Sequence, residues 1–301
     1  MQPAPARSYT CNWCGTVSDG SALTCPACGA TINVAAIVTP TGWTEVPGRK
    51  DMTHIQLGKS SMQIEGLYVP VADFNLAAED SVYFTHHVLL WKETAVNISM
   101  MSMKGGWKRA FSGMPIFMTQ AKGPGHIAFS RDNPGELLAI PIQPGHALDV
   151  REHMFLAATS HVAYDFFNTN IWFSTKNGDD TEYHYPIGNF MDRFTAPQQP
   201  GLLLIHASGN VYVRQLAPGQ SILIKPTALI FKDPSVSMQL HFEHPASGGG
   251  GFFSMLTSFA LRYLWLRITG PGRVAIQSAF EPVEDSGASI YGHSPATDQR
   301  W

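Results

Sequence analysis

Charge is what this chain has least of. Only 14% of its 301 residues are Asp, Glu, Lys or Arg, against about 25% in an average globular protein. The net charge is -3, which argues against a general electrostatic grip on nucleic acid. Before Arg49 the only cationic side chain is Arg7. Cysteine is absent beyond Cys28, so the main body of the chain has neither disulfides nor a thiol nucleophile. That usage fits a reducing compartment. The opening MQPAPARSYT lacks the apolar centre of a signal peptide. Long apolar runs are missing too. The longest, Phe252 to Ile268, is interrupted by Ser254, Thr257, Ser258, Arg262 and Arg267, and it falls short of the ~20 residues a spanning helix needs. A cytoplasmic, soluble protein is expected. No G-x-S-x-G, H-E-x-x-H or phosphate-cradling glycine loop occurs, and no carboxylate pair has an evident base or oxyanion partner. The expectation is that the chain is not an enzyme.

What the chain does have is a repeat. LAAEDSVYF from Leu76, IQPGHALDV from Ile142 and LAPGQSILI from Leu216 align as three copies, spaced 66 and then 74 residues apart. The register continues without a gap. Leu90, Leu156 and Ile230 coincide, then Val96, Val162 and Val236, then Met100, Phe166 and Leu240. A second anchor is Gly123-Pro124-Gly125 before HIAFS, and Gly270-Pro271-Gly272 before RVAIQS. Ser208-Gly209-Asn210 reads as its degraded middle equivalent. Glycine and proline set such turns, and the period-two apolar pattern after them reads as half-buried strand. Internal repetition on this scale decides the fold class: all-β, in three copies that can close about a pseudo-threefold axis and so remove most sheet edges.

The four cysteines form C-x2-C-x10-C-x2-C, with Cys11, Cys14, Cys25 and Cys28 as ligands. Two thiolates two residues apart can grip one ion from a tight turn, and two such knuckles complete a tetrahedral site with no open position. This predicts structural zinc, whose binding supplies the folding energy of so small a segment. The domains read as a zinc ribbon over 8–32, a linker over 33–50, a β domain over 51–281 and a disordered tail over 282–301. A short strand is allowed at Val34 to Val38, and the first strands of the domain at Thr53 to Leu57 and Ser61 to Tyr68. Helical turns are expected at Trp107 to Phe111 and Phe252 to Phe259. The polar insertion Ser174 to Asn189 reads as a turn with a solvated loop. His86, His87, His153, His241 and His244 are candidate ligands for a second metal. The register sets His87 opposite His153 but offers Thr227 in the third copy, so a threefold site is incomplete.

FSGMPIFMTQAKGPGHIAFS followed by IQPGHALDVREHMFLAAT resembles the family named for altered inheritance of mitochondria, also described as a mitochondrial biogenesis family. The resemblance spans about residues 51 to 281; some bacterial members carry a zinc ribbon ahead of this domain. It implies a triplicated double-stranded β-helix related to the tryptophan RNA-binding attenuator, and no catalytic residues. Low charge and apolar loop elements then favour a non-enzymatic assembly or scaffold protein. Such a protein would form a homo-oligomer, dock a protein partner or associate peripherally with a membrane complex. Nucleic-acid binding by analogy with the attenuator fold and a cupin-like metal-dependent enzyme are the alternatives.

Overall fold

The structure, a computed structural model, describes residues 8–11, 16–19, 24–27, 41–46, 53–102, 117–177, 179–243, 263–281, 289–294 and 298–300. Among them no α-helix occurs, only strands and two single turns of 3-10 helix at His86–Val88 and Pro226–Ala228. Strands β1 (Ser8–Thr10) and β2 (Val17–Asp19) flank the first cysteine pair as a hairpin. A short β3 (Thr44–Val46) lies inside the segment read as linker. A hairpin of β4 (Thr53–Leu57) and β5 (Ser60–Glu65) follows. It stops short of the expected Tyr68 because Gly66 turns the chain at φ 81°.

The first sequence copy contributes β6 (Val71–Leu76), β7 (Ser81–Phe84), β8 (Leu89–Lys92), β9 (Asn97–Ser102), β10 (Phe117–Lys122) and β11 (Gly125–Phe129). The second contributes β12 (Gly135–Ile142), β13 (Ala147–Arg151), β14 (Phe155–Thr159) and β15 (Ala163–Asn168). An inserted pair, β16 (Phe173–Asn177) and β17 (Asp180–His184), precedes its β18 (Phe190–Thr195) and β19 (Gly201–Ser208). The third contributes β20 (Val211–Leu216), β21 (Ser221–Ile224), β22 (Leu229–Lys232), β23 (Ser237–Glu243), β24 (Tyr263–Thr269) and β25 (Gly272–Gln277). Two short strands follow, β26 (Ser289–His293) and β27 (Asp298–Arg300).

One pairing scheme serves all three segments. The sixth strand lies between the first and third: β11 between β6 and β8, β19 between β12 and β14, β25 between β20 and β22. The fifth lies between the second and fourth: β10 between β7 and β9, β18 between β13 and β15, β24 between β21 and β23. Successive segments join through the second strand of one and the third of the next. In β7–β14 the partners are Phe84 with Ala157 and Tyr83 with Ala158. In β13–β22 they are Val150 with Phe231 and Asp149 with Lys232, the same register.

A turn device recurs with the pairing. Val96, Val162 and Val236 donate their backbone N–H to the carbonyls of Glu93, Thr159 and Asp233. Those three side chains accept the N–H of His126, Leu202 and Arg273. Between them stands a glycine whose missing Cβ leaves room for the valine: Gly125 on Val96, Gly201 on Val162 and Gly272 on Val236. The middle counterpart of Gly125 is therefore Gly201, in Pro197-Gln-Gln-Pro-Gly201. Ser208-Gly209-Asn210, expected in that role, instead leads into β20. The sequence match failed there because the proline-glycine chemistry moved within a loop of unchanged function.

The chain divides into two compact units: 1–147, 154–164 and 194–212 in one, and 148–153, 165–193 and 213–301 in the other. In the first, the five-stranded sheet β4-β5-β6-β11-β8 faces the six-stranded sheet β12-β19-β14-β7-β10-β9. Alternate residues of β5 and β6 (Met62, Ile64, Ala72, Phe74) enter the core between them. There Phe129 meets Phe74 edge-on at 5.7 Å and Phe84 at 4.7 Å. The long apolar run of β19 is buried on both faces; its sheet has a second aromatic layer, in which Phe155 lies 5.6 Å from Tyr83 and 4.8 Å from Phe194. The strands β15, β18, β13, β22, β25 and β20 follow one another in a second large sheet, and β21-β24-β23-β27 and β17-β16-β26 form two further sheets.

Two expectations change. The insertion read as a solvated loop is a hairpin over most of its length, with Phe173 opposite His184, and it ends in a turn that Gly188 N–H closes on the Tyr185 carbonyl. Thr175 and Thr181 and the aromatic Phe173 and Tyr183 give it strand character that its polar composition hid. The tail expected to be disordered over 282–301 carries two strands. One pairs with the edge of β16 and the other runs parallel to β23. A sheet edge offers hydrogen bonds that a compositional argument does not weigh. The strand at Val34 to Val38 and both helical turns lie outside the described residues.

Candidate functional site

The first cysteine knuckle closes through the N–H of Cys11, which donates to the Thr16 carbonyl at 2.9 Å. Cys11 and Cys25 are both buried; Cys14 and Cys28 lie outside the described residues. Four of the five candidate histidines lie among the described residues. His87 is exposed in the first unit, and His153 is exposed at φ 70° in the second. His241 is buried, its Nδ1 3.3 Å from Arg267 Nη2. His86 sits in the 3-10 turn, and His244 lies outside the described residues. No group of three or more His, Cys, Asp or Glu able to hold a metal occurs among the described residues.

Three polar arrangements that the sequence did not single out are present. Asp149 on β13 is fully buried and receives Arg193 Nε at 2.6 Å, Arg193 Nη2 at 2.9 Å and Lys232 Nζ at 2.8 Å. The Phe167 ring lies beside both cations, 4.7 Å from the guanidinium and 6.0 Å from the ammonium. The hydrogen bond to Asp149 holds the Arg193 guanidinium above its ordinary range. Through these contacts Asp149 ties β13 to β18, which carries Arg193, and to β22, which carries Lys232. It was legible only as a polar residue at a register position where the other copies carry Tyr83 and Leu223.

His206 on β19 is buried, and no hydrogen-bond partner meets its Nε2. Burial, helped by the charge of Arg131, pushes its imidazole down to about 4. His126 on β11 is half-exposed, with Nδ1 at 3.0 and 3.1 Å from the Asp73 carboxylate oxygens. Its ring stacks on Trp91 at 6.5 Å. That pair orients the indole at the margin of the five-stranded sheet.

Residues 62–279 match the family described as Mitochondrial biogenesis AIM24. The chain belongs to the AIM24 family. The AIM24 match starts within β5 and ends just beyond β25, so it takes in all three copies and leaves the cysteine segment outside it. The crystal structure of protein SPYM3_0169 from Streptococcus pyogenes is similar in fold, with a TM-score of 0.50 and 18% sequence identity. The likeness covers 74% of this chain and 94% of that one. Comparison with curated proteins gives no match.

The AIM24 domain exposes apolar side chains along two strands of the first copy. Leu90 and Trp91 on β8 are 56% and 44% exposed, and Ile98 and Met100 on β9 are exposed as well. The aligned residues of the other copies are not: Leu156 and Ile230 are 0% exposed, and Phe231 3%. β14 and β22 each have strands on both sides, whereas β8 and β9 end their sheets. Leu90, expected to share the surroundings of Leu156 and Ile230, therefore differs from them: among the described residues no strand lies beyond β8. No helix among the described residues is long and apolar enough to cross a membrane.

Proposed function

We propose that this AIM24-family protein is a non-enzymatic assembly protein that acts by self-association. Its β domain is read as a pseudo-threefold, triplicated double-stranded β-helix, a reading supported by the pairing scheme and glycine–valine turns that recur in the three segments. The observation that carries the function is the solvent-facing apolar margin Leu90, Trp91, Ile98 and Met100. A chain with only 14% charged residues has little surface charge to keep such strands apart. The family description, mitochondrial biogenesis, accords with a role in building assemblies. The net charge of -3 gives no support to nucleic-acid binding.

The ribbon is read as a structural zinc site of Cys11, Cys14, Cys25 and Cys28. Its support is the ligand spacing and the burial of Cys11 and Cys25. Multi-angle light scattering at micromolar concentration tests the assembly reading. The expected result is a mass above that of one 32.9 kDa chain; a single-chain mass at every concentration overturns it. Elemental analysis is expected to return one zinc per chain, lost on Cys11→Ser.

A further inference from the structure

β8 and β21 are the two ends of an interface that the chain otherwise completes. The second strand of one segment pairs with the third strand of the next as β7–β14 and as β13–β22. The scheme leaves one third strand, β8, and one second strand, β21, each at the margin of its sheet with no strand beyond it among the described residues. The side chains show the same vacancy on both. At the β8 end, Leu90 and Trp91 face solvent while their counterparts are buried. At the β21 end, Leu223 is 39% exposed where Tyr83 is 2% and Asp149 0%.

We propose that β8 of one chain pairs antiparallel with β21 of a second copy, in the register of the two internal interfaces. That register sets Trp91 opposite Ile224 and Lys92 opposite Leu223. The partner is a second copy because the unpaired strands are complementary in kind: one is a third strand without its second, the other a second without its third. Such a contact is head-to-tail, so each chain retains a free end, and association proceeds until a ring closes or a filament grows. Backbone hydrogen bonds supply the pairing, and the burial of Leu90, Trp91 and Leu223 supplies its apolar part. The inference rests on the self-association reading and names the surface responsible for it.

The test uses full-length chains carrying Lys92→Cys or Leu223→Cys, with zinc kept present so that the ribbon thiols stay engaged. Under mild oxidation the mixture is expected to give a disulfide-linked dimer, while each variant alone gives none and Lys92→Cys with the out-of-register Ser221→Cys gives at least tenfold less. Trp91→Lys, at an exposed position, is expected to lower the mass seen by light scattering with an unchanged thermal midpoint. Assembly that persists in Trp91→Lys, or a mixture without cross-linked dimer, overturns the edge pairing and leaves self-association standing. A wild-type chain that is monomeric at every concentration overturns both.

Discussion

A single missing methyl group sets the turn that each segment uses. At Gly201 an added Cβ would collide with Val162 Cγ2, and at Gly272 it would lie 2.8 Å from Val236 Cγ2. Neither valine can withdraw without breaking the short turn that its own N–H closes. Gly201→Ala is therefore expected to destabilise the fold by about 1–3 kcal/mol, the usual range for overpacking. The cost should shrink in a Val162→Ala background. Urea unfolding of the four chains of this cycle gives the coupling, and strict additivity would remove the steric account. His206 makes a second residue-scale prediction. Its folded pKa of about 4 lies below the ordinary 6.5, so the unfolded chain binds the proton first. The stability it contributes is complete above pH 6.5 and is lost as the pH falls towards 4, by at most ~3 kcal/mol. The difference in urea midpoint between wild type and His206→Leu, followed from pH 7 to pH 4, isolates that slope.

At the scale of strands, the Asp149 triad joins β13, β18 and β22 by side chains as well as by backbone. Removing the carboxylate leaves Lys232 buried without its counter-charge. Asp149→Asn is expected to cost about 3–5 kcal/mol, and Asp149→Leu with Lys232→Met much less, because breaking a buried pair is worse than replacing it. Equal losses in the two chains, measured by denaturant unfolding, would mean that the ion pair itself carries the stability. This cluster also marks where the sequence stopped being informative. Alternation and turn residues are local, so the strands of each segment and the register of Val96, Val162 and Val236 could be read directly. The partners of Asp149 lie 44 and 83 residues away, and nothing local announces them. The inserted hairpin and the tail strands were misread for a related reason. Their composition is polar, and what holds them is an edge supplied by distant strands. Leu90 shows the converse: its pattern is that of a core residue, yet it is exposed on β8, beyond which no strand lies among the described residues.

For the whole chain, the question is which part carries assembly. Among the described residues, the apolar cluster that unites the sheets of the first unit starts at Ile55, and the family match begins at residue 62. The β domain thus has a core of its own, while the ribbon has buried Cys11 and Cys25 and, on the zinc reading, folds only with metal. A strong chelator is therefore expected to release one zinc per chain and open the N-terminal segment to protease, with the main thermal transition unmoved. The same treatment separates two origins of self-association. β8 and β21 lie in the β domain, so pairing through them predicts an assembled mass that is unchanged after chelation and falls only with Trp91→Lys. A mass that drops with the zinc and ignores Trp91→Lys would place the contact in the ribbon. The exposed Leu90 and Trp91 would then need a different occupant.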